Sequence, residues 1–186
     1  MRIKYNAPTV LTFALFSALV LLLSRTVLPD LIKDWFMVPG RGGFRAGSLR
    51  SWITVFSHVA GHADWSHLIN NFTLILLIGP MLEESYGSLS LLFMMIITAL
   101  VTGVLNLLFF RSSLMGASGV VFMMILLASF TNFSHGEIPL TFILVLILYL
   151  GVQVVESFNS DNISQFAHIA GGFCGSFFGF FRPPRR

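Results

Sequence analysis

Six long apolar runs, separated by shorter polar connections, decide most of what this chain can fold into. They fall near residues 8–28, 67–82, 89–110, 115–133, 138–155 and 166–181. Each approaches or reaches the roughly 20 residues that a helix needs to cross about 30 Å of hydrocarbon. Inside such a layer no water satisfies backbone N–H and C=O groups, so segments of this kind must become helices that bond internally. The expectation is an all-α polytopic membrane protein, one domain over 1–186 built as a six-helix transmembrane bundle. Composition agrees, since 55% of the 186 residues are hydrophobic and only 10% are charged, well outside the range of soluble globular domains.

The one long connection, 29–65, contains DWFMVPGRGGFRAGSLRSW. It is too polar to span, and its mixture of Gly-rich turns with Trp and Phe predicts a loop resting in the membrane–water interface. The basic start, MRIKYNAPTV, leads into an apolar stretch without a small-residue cleavage site, which reads as a retained first span and not a signal peptide. Arg2 and Lys4 precede that span, and Arg182, Arg185 and Arg186 follow the last. These flanks favour both termini in the cytoplasm, although Lys33, Arg41, Arg45 and Arg50 of the long loop pull the other way. The net charge of +3 is scattered with no basic stripe, which argues against nucleic acid as a partner. The lone Cys174 sits in an apolar run, so no disulfide framework is available.

With both ends inside, the second, fourth and sixth helices all run inward from the outer face. The second starts at His67 and carries Asn71, the fourth starts near Gly116 and carries Ser118, and the sixth starts near Gln165 and carries His168. At about 1.5 Å rise per residue, these four side chains lie at similar depth, a few ångströms below the outer boundary. A serine hydroxyl becomes a nucleophile when a base takes its proton, and neutral histidine suits that task near neutral pH. Ser118 and His168 supply the pair. Attack on an amide carbonyl develops an oxyanion that needs fixed donors; His67 and Asn71, at i and i+4 on one face, can donate, with the Ser118 backbone N–H as a third. No carboxylate lies within a span to complete a triad, and Glu156 and Asp161 belong to the preceding loop, so a dyad is expected. The small residues around each group would equally suit close helix crossings; their common depth is what favours chemistry.

Other chemistries lack their residues. There is no His-Glu-x-x-His for a zinc-activated water and no pair of aspartates within spans. His58, His62 and His67 have spacings that could gather a metal, yet they lack a carboxylate or cysteine partner, so loop hydrogen bonding is expected for the first two. No metal and no cofactor are called for. Asn106, late in the third run, is expected to bond to a neighbouring helix or the outer loop. A transporter would spread polar groups along a path, whereas here they crowd one end.

In combination these residues resemble the rhomboid family of intramembrane serine proteases, over about 8–181. GASG at 116–119 resembles the family's Gly-x-Ser-Gly. HADWSHLINN at 62–71 resembles its His-x4-His-x3-Asn, AHIAGGFCG at 167–175 its sixth-helix pattern, and MLEESYGS at 81–88 its Glu-containing turn. The resemblance implies Ser118 as nucleophile, His168 as base, and His67 and Asn71 as oxyanion donors. It also implies supporting roles for Gly116, Gly119, Phe122, His62 and Gly171. The substrates it implies are transmembrane segments of other membrane proteins, entering from the lipid bilayer and unwinding near their outer ends; the flank SHGEIP and mixed apolar face of the fifth helix, 138–155, make it a candidate gate beside the first loop. A compact core of this type points to a bacterial inner membrane. Two positions depart from the family pattern. Phe122 stands where a tyrosine is frequent, which keeps ring stacking and loses a hydroxyl. Trp52 and Thr54 replace a Trp-Arg pair in the loop. A catalytically silent, client-binding member of the family is the alternative reading; such a chain should lack the serine or the base, and this one keeps both.

Overall fold

The structure is a computed structural model and describes residues 3–131, 138–150, 163–182 and 184. Helix α1 spans Pro8–Thr26, with proline at the start, where its missing N–H costs no helical bond. The first loop then folds into α2 (Leu31–Trp35), α3 (Leu49–Ser57) and a 3-10 turn at His58–Ala60. Helix α4 (Trp65–Tyr86) begins at a cap in which the Asp64 carboxylate accepts the His67 N–H at 2.8 Å. It ends at Gly87, whose φ of 84° only glycine adopts without strain, and α5 (Ser88–Phe109) starts at the next residue. Helix α6 covers Ser118–Ala128, α7 covers Leu140–Val145 and continues as a wider turn to Leu150, and α8 covers Ile163–Phe181.

Among the described residues, α1, α4 and α5 are long and apolar enough to cross a membrane. Several boundaries differ from the sequence expectation. The connection over 29–65, expected as a loop, carries two short helices and a 3-10 turn joined by irregular stretches. Helix α4 is longer than the expected 67–82, since it starts behind the Asp64 cap and runs on to Gly87, with Pro80 inside it. The expected helix 115–133 is 11 residues, starting only at Ser118, because the chain before it is pulled into a turn against the first loop. The expected fifth helix, 138–155, is helical from Leu140 to Leu150; residues 151–155, with Glu156 and Asp161, lie outside the described residues.

Helix α6 is the centre of the molecule. It is apolar on every side, and Val120, Met123, Met124, Leu126 and Leu127 are all fully buried, as expected of a helix surrounded by others. Lipid tails are as apolar as leucine, so burial alone gives helices in a bilayer little reason to associate, and close packing at small residues takes over. The contact between α6 and α8 shows this. A methyl group on Gly171 would overlap the Gly119 carbonyl, and one on Gly175 would overlap that of Met123, so the two backbones touch. By contrast, Leu77, Phe93, Leu108, Phe173 and Phe181 are more than 45% exposed and turn outward.

Helix α1 is secured from below. The Glu83 carboxylate of α4 accepts the Thr9 N–H at 2.9 Å and the Val10 N–H at 3.0 Å, and the Thr9 hydroxyl donates to the Ser88 carbonyl. The cap that α1 lacks from its own sequence comes from another helix.

Candidate active site

The turn leading into α6 is fixed from two directions by the first loop. Val38 and Leu114 exchange both backbone N–H···O bonds at 3.0 Å, and the Asn106 amide of α5 donates to the Pro39 and Ser112 carbonyls at 3.1 and 3.2 Å. The Gly116 N–H then donates to the His58 carbonyl at 2.9 Å. His58 is itself held from both sides: its Nδ1–H donates to the Val55 carbonyl at 3.0 Å, and its Nε2 lies 3.3 Å from the Thr102 hydroxyl of α5. A carbonyl can only accept, so this imidazole carries its proton on Nδ1 and leaves Nε2 as an acceptor.

Gly116 sits in a backbone conformation closed to other residues, with φ of 117°. Side-chain room is absent as well. A methyl there would come within 2.7 Å of His67 Nε2 and 3.9 Å of Asn71 Nδ2. The structure therefore packs the imidazole of His67 and the amide of Asn71 against the turn that delivers Ser118. Asn71 is aligned by one bond from its Nδ2 to the His67 carbonyl, 3.1 Å, which leaves its second N–H available. Ser118 opens α6 and is half-buried; its backbone N–H is one of those that a helix leaves without an intrahelical partner.

His168 comes from α8. Its ring lies face to face with that of Phe122, centroids 4.2 Å apart and planes within 7°. Phe122 follows Ser118 by one helical turn, so both side chains share a face of α6. The contact of Gly119 with Gly171 and Ala167 brings α8 close enough for this stacking. These contacts gather His67, Asn71, Gly116, Phe122 and His168 around the first turns of α6, which Ser118 opens, with Gly119 and Gly171 at the crossing.

His62 lies just behind. It is fully buried, its ring meets that of His67 edge-on with centroids 5.0 Å apart, and its Nδ1–H donates to the Ala60 carbonyl at 3.3 Å. Burial, with a smaller push from His67, lowers its pKa to about 4; burial lowers that of His58 to about 4 as well. Both imidazoles are neutral at physiological pH. Among the described residues no cluster of three or more His, Cys, Asp or Glu side chains is placed to hold a metal ion. Sequence reasoning missed the parts played by Thr102, Val38 and Leu114, since nothing local marks a residue whose partner is distant in the chain.

The rhomboid-domain family model matches residues 49–185, which includes Ser118, His168, His67, Asn71 and His62. The chain belongs to the rhomboid family. It is similar to the rhomboid protease GlpG of Haemophilus influenzae, at 24% identity over 127 residues, 67% of this chain and 66% of that protein. It is also similar to RHOMBOID-like protein 4 of Arabidopsis thaliana, at 28% over 127 residues, 64% of this chain and 31% of that protein. The match thus spans just under two thirds of the first relative and under one third of the second. Rhomboid membership, with helices apolar enough to span, makes this an integral membrane protein of a family that includes intramembrane serine proteases.

Proposed function

We propose that this rhomboid chain is an intramembrane serine endopeptidase that cuts transmembrane segments of membrane-protein substrates near the outer face, through a Ser118–His168 dyad and an acyl-enzyme. The observation that carries the reading is the stacking of His168 on Phe122, which holds a base over the face of α6 that begins with the serine. Basic residues flanking the first and last helices support cytoplasmic termini, and the compact core supports a bacterial inner membrane.

An intact helix shields its own carbonyls, so a substrate must unwind locally before attack. Neutral His168 takes the proton of Ser118 Oγ as the oxygen adds to the exposed carbonyl carbon. The resulting oxyanion faces His67, the second N–H of Asn71 and the Ser118 backbone N–H, donors already fixed before charge develops. Collapse of this intermediate breaks the C–N bond, and His168 returns the proton to the leaving amine. Water then attacks the ester with His168 again as base, releasing the new carboxylate and restoring the serine.

The test is cleavage of a fluorogenic transmembrane peptide by purified protein in detergent. Wild type should cut, while Ser118→Ala and His168→Ala should each lose about 10³-fold or more in kcat with folding intact. Equal signals from all three proteins would replace this reading with that of a silent client-binding member of the family.

A further inference from the structure

Helix α3 carries an apolar stripe that stays largely exposed among the described residues, with the Phe44 ring meeting Trp52 edge-on. Leu49, Trp52, Ile53 and Phe56 recur at i, i+3, i+4 and i+7 and are 76, 49, 38 and 41% exposed. A short helix with such a face lies in the plane of the membrane, its apolar side sunk to the boundary between headgroups and acyl chains. Beside its first turn, on the more polar side, is a cavity of about 370 Å³ whose lining includes Lys33, Asp34, Arg45, Ser48, Arg50 and Ser51, within the size range of small-molecule sites.

The charges in this cavity do not balance. Arg50 is committed to Asp34, donating to both its carboxylate and its carbonyl, and it lies 5.7 Å from the centre of the Trp35 ring. That uses the only carboxylate in the lining. Among the described residues, Lys33 and Arg45 have no carboxylate partner. Arg45 is nonetheless held at the rim, because its backbone N–H donates to the Ser51 hydroxyl at 3.3 Å, and the Ser48 side chain makes no capping bond. Two cations and a serine hydroxyl are thus gathered at the depth where α3 places the phosphates of the surrounding lipids.

We propose that this cavity binds the phosphate of an anionic phospholipid headgroup, with Lys33 as a point charge and Arg45 as a fork on two oxygens. Arginine's planar fork matches phosphate geometry. A zwitterionic lipid fits less well: its ammonium would need a carboxylate, and Asp34 is already taken by Arg50. The occupant therefore carries net negative charge. It tethers the same loop whose Val38 pairs with Leu114 ahead of the nucleophile turn.

The experiment uses full-length protein in vesicles and reads quenching of its three tryptophans by lipids brominated in their acyl chains, phosphatidylglycerol against phosphatidylcholine. Wild type should prefer the anionic lipid by roughly five-fold or more, and Lys33→Gln/Arg45→Gln should bring that ratio near unity, at roughly five-fold per cation near the surface. Arg41→Gln, in the same loop but outside the cavity lining, should leave the ratio unchanged. Thermal unfolding of each variant controls for folding, and Lys33→Arg/Arg45→Lys should retain the preference. Equal quenching by both lipids in wild type overturns the proposal, as does an equal loss in Arg41→Gln, which would make the attraction diffuse. Inorganic phosphate added at constant ionic strength should not abolish the preference; if it does, the cavity takes the free ion and the lipid assignment falls.

Discussion

The crossing of α6 with α8 and the folded first loop meet at the same serine but are held by different means. At the crossing, backbone lies directly on backbone, and Gly171 and Gly175 leave no space for a methyl group. In the loop, order comes from hydrogen bonds between distant polar groups: Val38 with Leu114, Asn106 with Pro39 and Ser112, and His58 with Gly116 and Val55. The crossing is specified by volume, and the loop by these polar pairings together with two close approaches, at Gly40 and Gly61, where a methyl group would meet the Arg111 and Phe36 carbonyls. A change that harms one should therefore be mild in the other.

The largest effect should come from adding one carbon at the crossing. Gly171→Ala drives a methyl into the Gly119 carbonyl and should cost about 3 kcal/mol of stability, read by unfolding in mixed micelles, with cleavage lost in parallel. Gly47→Ala in the loop, where a methyl meets nothing within 4 Å, should change neither. Equal tolerance at both positions would erase the distinction.

Next comes Gly116→Ala, where the two regions join. The methyl would press on His67 Nε2 in a backbone conformation that alanine resists, displacing a proposed oxyanion donor. A shift of about 1 Å at a reacting centre can cost 10²-fold in rate, so kcat for the peptide should fall about that far, with KM changing little.

The loop should break with protons where the crossing breaks with volume. His58 and His62 titrate near 4 in the folded protein, below the ordinary 6.5. Between those values the unfolded chain binds more protons, so stability is full above about 6.5 and declines as pH falls toward 4. Unfolding midpoints across that window should show the decline, and His62→Gln should flatten it. A profile unaffected by this substitution would place the acid sensitivity elsewhere. Smallest of all should be Arg50→Ala: its pair with Asp34 is exposed on both sides, and such pairs contribute about 0–1 kcal/mol.

The same contrast explains what the sequence disclosed. Ser118, His168, His67 and Asn71 could be expected near one another because helices that start at the same end of a bundle convert chain position into depth, and the glycines beside them mark close approach. The loop was far less legible. The stripe of α3 stands in plain view at 49, 52, 53 and 56, but a nine-residue helix has little stability of its own and exists only because its surroundings supply it. The pairing of Val38 with Leu114 leaves no local trace at all. Glu83, whose segment reads as a turn, proved to lie inside α4, and its partners on α1 could not be deduced from its neighbours.

That glutamate also bears on how the chain is made. Two N–H groups at the start of α1 find their acceptor only at a residue more than seventy positions later. As the nascent protein leaves the ribosome, α1 enters the bilayer with those groups answered only by water or headgroups, and the arrival of α4 replaces these transient partners with a carboxylate. Insertion of the second long helix is thus the event that completes the first.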